Sequence, residues 1–531
     1  MSKNVNSGLS YGLILVAMAA GIVLGIAMAQ NRMNHRMAMA NALNYKVDET
    51  MRLIQNQYVD VIDGDSLADE MLNAMLNILD PHSRYLSVEE MNREATQMQG
   101  HFDGIGLVLR RVGDTSCVGQ VFEGGPAQQA GLLPGDRIVM VDTIPVAERK
   151  LSADQVVKKI RGRRYSTVDI GVLRQGVEGV THYKMKRDMV KTPTVNYVAM
   201  LDKRNGYIRV SSFAENTHRE FVEGLLALQQ QGMKRLIIDL RGNGGGLLEA
   251  SLEMANELLP KGDLIVYTQG AHQRRRDVKS TGNGIYTQGD LVILIDESSA
   301  SASEVLAGAI QDNDRGTIMG RRSFGKGLVQ GQFALADGSA LWLTTARYYT
   351  PAGRCIQKPY TNGYEEYYIS NYRQAIEESF SDTIEAKLSD STEYHTKNGR
   401  VVYGGGGIVP DKVIPHKRYD DILYYNQLAN AMVMFDYSFD YVSKHIHQLM
   451  KDYTTAASFE KGFVVTDRMI DELVKLGTSR KVAVDEKALA NHKGLMKSTV
   501  KSYIGQCLFG DNLYYKLVLE NDDELQKALK S

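Results

Sequence analysis

Apolar positions recur at three- and four-residue spacing from Asn31 to about Gly100. "VDETMRLIQNQYV" and "LADEMLNAMLNIL" are the clearest cases, and both predict amphipathic helices. "DPHSRYLSVEEM" breaks that pattern at Pro81 and starts a new helix, with Ser87 as N-cap and Glu90 three residues on completing a capping box. From His101 to about Lys191 the pattern changes to short strands and turns. "FDGIGLVLRRV", "DRIVMVD" and "TVDIGVLRQG" read as strands, and "LSADQVVKKIRG" as an amphipathic helix with Ser152 or Asp154 near its start.

From Tyr207 strands and helices alternate. "YIRVSSF" leads to the helix "REFVEGLLALQQQG", and the buried-type strand "RLIIDL" runs through "RGNGGG" into the helix "LLEASLEMANELL". A second buried-type strand, Leu291 to Asp296, runs into "ESSASASEVLAGAIQDN", a helix with Val305, Leu306, Ala309 and Ile310 on one face. Between them "GAHQRRRDVKSTGNG" reads as a loop with Arg274 to Arg276 in solvent. Asp337-Gly338 lies at the centre of a hairpin pattern. From about Lys417 the chain is helical and Tyr-rich. The predicted organisation is multidomain α/β: 1–30 a signal or anchor, 31–100 an N-terminal helical region, 101–191 a small β-domain, 192–416 an α/β core and 417–531 a C-terminal helical domain.

The first of these segments changes where the protein is expected to work. Tyr11 to Ala29 is uncharged, apolar and about long enough to cross a bilayer as a helix. Ala27-Met28-Ala29 before Gln30 also fits a small-residue cleavage site. A membrane anchor and a cleaved signal both fit, and either makes the rest an exported, soluble body. Lys3 on one side and Arg32 and Arg36 on the other leave the orientation open.

The 531 residues exceed one domain, and 62 Lys plus Arg against 63 Asp plus Glu leave no overall field for nucleic acid. Cys117, Cys355 and Cys507 are scattered, without metal-ligand spacing. They are expected as buried free thiols, or with one pair oxidised outside the cytoplasm.

"GRRSFGKG", Gly320 to Gly327, has the outline of a phosphate-binding loop, but Gly327 stands where such a loop needs a hydroxyl for Mg²⁺, and a strand follows instead of a helix. Lys326 therefore needs another role. "RGNGGG" offers consecutive backbone N–H groups with no side chains in the way, suited to a developing oxyanion. "SSASASE" sets Ser298, Ser299, Ser301 and Ser303 at a helix start, where the dipole and an adjacent amide suit a nucleophile. None of the 11 histidines carries a motif that links it to this turn. A lysine whose pKa is depressed by burial can serve as base, and Lys326 is the candidate. Helix capping and a solvated lysine are the plainer readings of the same residues.

Two resemblances bear on that choice. The Gly-flanked strand of "FDGIGLVLRRV" with "GPAQQAGLLPGDRI" resembles a PDZ domain, whose turn, here Gly104, Ile105, Gly106 and Leu107, would receive the α-carboxylate of a peptide tail. "DLRGNGGGLL", "SASASEVLAGAIQDN" and "SFGKGLVQ", in that order after it, resemble the C-terminal processing peptidases, also called tail-specific proteases. "LDPHSRYL", "YIRVSSF", "DGSALWLTTARYYTPAGRCIQ" and "YGGGGIVPD" extend the likeness over most of Leu79 to Asp411. That family implies a crotonase-like α/β protease core with an inserted PDZ domain. It also implies a Ser/Lys dyad of Ser301 and Lys326, Gln330 orienting the lysine, and an oxyanion hole from the N–H of Ala302 and of Gly244 or Gly245. It implies no cofactor and no metal. The expected partners are proteins with accessible C-termini, the membrane through the N-terminal segment, and a homo-oligomer or adaptor, on the periplasmic or envelope side of a bacterial inner membrane. A non-catalytic PDZ scaffold is the alternative.

Overall fold

The computed structural model describes residue 28 and residues 45–112, 115–361, 363–379, 392–415 and 419–530. The apolar segment from Tyr11 to Ala29 lies outside the described residues except for Met28. No helix among the described residues is long and apolar enough to cross a membrane. One unit spans Met1–Met75 and another Leu76–Ser531. The first holds helix 45–57 (α1) and most of Gly64–Asn77 (α2), where the apolar spacing predicts helices.

The second unit opens with β1 (Arg84–Leu86) and α3 (Val88–Gln99). The capping box forms: Ser87 Oγ accepts the Glu90 N–H at 3.3 Å and the Glu90 carboxylate accepts the Ser87 N–H at 2.9 Å. β2 (His101–Gly104) pairs with β9 (Asp188–Lys191). Between them β3 (Leu107–Val112), β4 (Thr115–Val121), β5 (Arg137–Val141), β6 (Ile144–Pro145), β7 (Thr167–Leu173) and β8 (Thr181–Lys186) form an antiparallel sheet. Its order is β3-β4-β5-β7-β8 with β6 beside β5, which leaves β3 at an edge. With α4 (Pro126–Ala130) and α5 (Ala153–Ile160), these strands bury Val118, Ile138, Val156 and Ile170 in a core of their own. Ser152 Oγ caps α5 by accepting the Gln155 N–H, and α5 packs beside β3.

The α/β core is a sheet in the order β10 (Val195–Met200), β11 (Asn205–Val210), β12 (Arg235–Asp239), β15 (Asp290–Ile295), β16 (Thr317–Gly320), β21 (Lys412–Val413), parallel except for β10. Its central strands are buried on both faces, which is why they read as unbroken apolar runs. One face packs on α6 (Thr217–Gln230), α7 (Leu248–Leu258) and α8 (Ala302–Asp312). A second, antiparallel sheet takes β1 beside β18 (Ala340–Tyr349), then β13 (Leu264–Gly270) and β14 (Gln273–Lys279), with β17 (Leu328–Ala334) forming the predicted hairpin with β18 across Gly338. α9 (Tyr364–Ser379) and the hairpin β19 (Glu393–His395), β20 (Val401–Tyr403) complete this part.

Two readings change here. The arginine-rich stretch expected as a loop is strand β14: it is exposed at a sheet edge and so carries no alternation of apolar and polar residues. Arg275 lies over the Tyr267 ring at 3.7 Å and pairs with Asp277 at 2.7 Å. Helix α8, expected to bury one face, is buried along its whole length, its polar residues satisfied by neighbours. All three cysteines are free thiols, and Cys117 is buried.

Helices α10 (Tyr419–Asn430), α11 (Val433–Asp452), α12 (Ala456–Gly462), α13 (Asp467–Ser479), α14 (Glu486–Phe509) and α15 (Asp511–Leu519) surround a separate core that includes Leu428, Phe459, Ile470, Met496 and Ile504. These helices grip the β3 edge domain. Arg110 pairs with Asp436 at 2.7 Å and stacks 3.8 Å over Phe435, and Leu133 packs into the helical core. A last helix, α16 (Asp523–Lys530), lies on the outer face of the parallel sheet, its Leu525 and Ala528 against Ile237, Val292 and Leu294.

Arg354 is wholly buried and bonds Asp312 (2.7 Å), also wholly buried, along with Gln311, Thr350 and the Tyr403 carbonyl. Removing one partner strands the other charge. Asp312→Ala is expected to destabilise the core by about 3–5 kcal/mol, and the double variant Asp312→Leu/Arg354→Met by clearly less. Urea titration followed by the fluorescence of Trp342, the sole tryptophan, checks both.

Candidate active site

Three loops leave the C-terminal ends of the adjacent parallel strands β12, β15 and β16, the place where open α/β sheets put their ligand sites. The loop after β15 turns sharply into α8. Asp296 Oδ1 accepts the N–H of Ser298 (3.0 Å), Ser299 (3.1 Å) and Gly242 (3.0 Å), which folds the turn and ties it to the loop after β12. The four serines separate by role. Ser299 is buried and donates to the Leu240 carbonyl at 2.8 Å; Ser303 is buried and donates to the Asn243 carbonyl at 2.9 Å; Ser298 is exposed. Ser301 alone among them is half-buried, and it holds φ 56° and ψ −113°, a conformation that non-glycine residues rarely adopt.

The glycine loop is organised by Asn243. Its side chain donates to the Val210 carbonyl and accepts the Gly245 N–H, both at 2.9 Å, while its carbonyl accepts the Ala300 N–H at 3.0 Å. Gly245 has φ 102°, and a Cβ there would stand 2.8 Å from Ser301 Cβ and 3.1 Å from the Ala302 nitrogen, so only glycine fits. Gly244 is exposed with open space around it. The two glycines named from sequence thus differ: the Gly245 N–H is already bonded to Asn243, and Gly245 contributes close approach.

The loop after β16 carries Lys326. Glu304, buried on the first turn of α8, joins it to the serine turn. Glu304 Oε2 accepts the N–H of Ser301 and of Lys326, each at 2.8 Å; Oε1 accepts the Gly325 N–H at 2.7 Å and the Ser323 hydroxyl at 2.6 Å. The Tyr348 hydroxyl, from β18, reaches the carbonyls of the same two residues, Ser301 (3.1 Å) and Lys326. Ser301 and Lys326 are therefore fastened through both backbone edges to one acid and one phenol. Burial, and then the charge of Glu304, hold the Tyr348 hydroxyl protonated and able to donate. Gln330 lies on β17, and its amide donates to Thr344 Oγ1 at 3.3 Å across the hairpin. That bond does not involve Lys326.

With this geometry, comparison with known proteins decides the family. Residues 204–364 match peptidase family S41, residues 118–174 match the PDZ domain family, and residues 424–510 match a family of unknown function. A carboxyl-terminal-processing protease from Synechocystis is 35% identical over 295 residues, 54% of this chain and 68% of that one. The chain belongs to the carboxyl-terminal-processing proteases. A Bartonella bacilliformis carboxy-terminal-processing protease (34% identity; 57% of this chain, 70% of that one) and a Bacillus subtilis carboxy-terminal processing protease (30%; 65% and 74%) agree. The chain is accordingly a serine protease with a PDZ domain, and the non-catalytic scaffold is set aside.

Some residues around the lysine of this protease went unassigned in the sequence. Burial and then the nearby Arg84 charge push the Lys326 pKa below its ordinary value, against the pull of Glu304 and Asp80. Arg84 pairs with Glu94 at 2.5 Å and sits 4.7 Å over the Trp342 ring. Asp80 folds the same segment by accepting from the His82 and Ser83 backbones at 2.8 and 2.9 Å. Burial, with Lys326 next, pushes the His82 imidazole down to about 3, and its Nε2 meets the Tyr367 hydroxyl at 2.9 Å. Lys358 packs 4.0 Å from the Phe324 ring and is lowered to about 8 by burial. Asp80, His82 and Arg84 lie in "DPHSRY", which no spacing rule connects to Lys326, and Lys358 lies outside it.

All four partners of Glu304 are donors, so an amide there would face at least one of them with N–H groups of its own. Glu304→Gln is expected to lower turnover by about 10²-fold by loosening the serine turn against the lysine loop. Steady-state cleavage of a tail-bearing protein, alongside circular dichroism to verify folding, checks this.

Proposed function

We propose that the protease hydrolyses peptide bonds with Ser301 as nucleophile and Lys326 as general base, on proteins whose C-terminal tails are captured by the PDZ domain. The observation that carries this is the single Glu304 oxygen that accepts both the Ser301 and the Lys326 N–H groups. Neutral Lys326 takes the Ser301 proton as Oγ attacks the carbonyl carbon. The tetrahedral oxyanion is received by the Ala302 N–H at the start of α8 and by the Gly244 N–H. Lys326, now an ammonium, protonates the leaving amine, and water then releases the acyl group from Ser301 by the same route. Gln330 is assigned to steadying the lysine once substrate is bound.

For the tail, β3 is the end strand of its sheet among the described residues, with α5 alongside, the arrangement used when an extended peptide adds to a sheet. Gly106, with φ 80°, bends the turn Gly104–Leu107 ahead of that edge, while the carbonyls of Ile105 and Gly106 are occupied by the Ala127 and Phe122 N–H groups. We assign the remaining N–H groups of this turn to the tail carboxylate. The apolar segment Tyr11–Ala29 supports an exported protease, held at the envelope side of a bacterial inner membrane or released by cleavage. Self-association or an adaptor falls to the helical C-terminal part.

Ser301→Ala and Lys326→Ala are each expected to abolish cleavage in the full chain. Only the unprotonated lysine is active, so kcat/KM should climb with pH through a pKa below the ordinary lysine value of about 10.4. Lys326→Arg should stay inactive at every pH, because a guanidinium does not deprotonate. Cleavage by either alanine variant at the wild-type rate contradicts the assignment. For the tail, amidating the substrate C-terminus should raise KM roughly tenfold or more through lost charge-assisted bonds; an unchanged KM contradicts carboxylate capture.

A further inference from the structure

The glycine loop and the lysine loop share a mechanical weakness. "GNGGG" and "GKG" have few side chains, so hydrogen bonds hold them, from Asn243 and Glu304 within the site and from further groups at the loop stems. On the stem of the first, Arg241 donates to Asp239, which is wholly buried, through Nε (3.0 Å) and Nη2 (2.6 Å). On the stem of the second, Arg321 donates to Glu297 at 2.7 Å, and Glu297 lies in the serine turn. Both guanidinium groups have donors to spare.

Those donors are met by the segment that opens α16. Asp522 accepts from Arg241 at 2.6 and 3.2 Å. Glu524 divides its carboxylate: Oε2 accepts from Arg241 at 3.0 Å and Oε1 from Arg321. One side chain therefore ties the glycine loop to the lysine loop and, through Arg321 and Glu297, to the serine turn. The segment is itself fixed. Asp522 Oδ1 caps α16 by accepting the N–H of Glu524 and of Leu525, both at 3.0 Å, and Leu525 and Ala528 are buried on the outer face of the sheet. All the side chains in this chain of contacts are largely shielded: Arg321 is 9% exposed, Arg241 12%, Asp522 14% and Glu524 23%. The pairs are thus screened less than surface ion pairs.

We propose that Glu524 is a positioning residue for catalysis, by which the C-terminal helical region holds the three loops of the active site in register. This rests on the Ser301/Lys326 reading above. Burial of Leu525 and Ala528 keeps α16 on the sheet without Glu524, so loss of its charge loosens the loops and leaves the fold in place. Glu524 touches neither substrate nor reacting atoms and acts through Arg241 and Arg321.

The test compares wild type, Glu524→Gln, Glu524→Asp, Ser301→Ala and, as a control on an exposed carboxylate of the same segment, Glu520→Gln, all in the full chain. The readouts are kcat and KM on a tail-bearing protein, the rate of labelling by a serine-reactive fluorophosphonate, and the melting temperature. For Glu524→Gln, kcat and the labelling rate are expected to fall by roughly 10- to 100-fold, the cost of a misplacement on the order of 1 Å. KM and melting temperature should hold, Glu524→Asp should recover part of the loss, and Glu520→Gln should match wild type. Wild-type kcat in Glu524→Gln, with Ser301→Ala inactive, overturns the proposal alone. A kcat loss that appears only with a lowered melting temperature, and disappears on cooling, also overturns it by reducing Glu524 to a stability role. Full activity in Ser301→Ala instead overturns the dyad, and the proposal falls with it.

Discussion

Four donors converge on the buried carboxylate of Glu304, and two of them are the backbones of Ser301 and Lys326. A buried acid is costly unless its lone pairs are filled. Here two of the groups that satisfy the acid are the backbones of the proposed nucleophile and base, so filling the acid also holds those two loops together. Tyr348 repeats the arrangement from the opposite side with the two carbonyls. The unusual φ of Ser301 is tolerated because both of its peptide edges are pinned in this way.

Around that centre burial makes the lysine easier to deprotonate, and the Arg84 charge adds to it against the pull of Glu304, Asp80 and Glu94. Arg84 lies near enough to depress it, and Arg84 is itself held by Glu94 and the Trp342 ring. On the far side of the loops the charges serve position instead, with Asp239, Arg241, Arg321 and Glu524 forming a connected series. Site chemistry and scaffold are thus separate electrostatic systems meeting at the same three loops. The PDZ domain, meanwhile, is held against the helical part by Arg110 and Leu133, so the β3 edge has a fixed location within the larger unit.

Much of this was legible in the sequence because it depends on local pattern. The unbroken apolar run of "RLIIDL" marks a strand buried on both faces, Ser87 with Glu90 marks a helix start, and Asp337-Gly338 marks a hairpin. "GNGGG", "SASAS" and "GKG" mark the three loops that the structure brings together at the ends of adjacent strands. What stayed hidden depends on distance. Glu304 reads as an ordinary acid in the first turn of a helix, and Tyr348 as one aromatic in a strand. Asp80 to Arg84 precede Lys326 by more than two hundred residues, and pattern carries no information on that separation. The strand β14 was missed for a different reason: an exposed edge strand lacks the period-two signal. Glu524 sits in a helix of unremarkable composition, and its use appears only when α16 is seen against the sheet.

The proposed chemistry requires Lys326 to be a neutral base at working pH. The direct measurement is a titration of the full chain in the Ser301→Ala background, with ¹³C-labelled lysine and the Lys326 signal assigned by its loss in Lys326→Arg. A midpoint clearly below the ordinary lysine value of about 10.4 is the predicted result. A midpoint at or above that value would mean that Lys326 is a permanent cation in the free enzyme, and the general-base role would be lost.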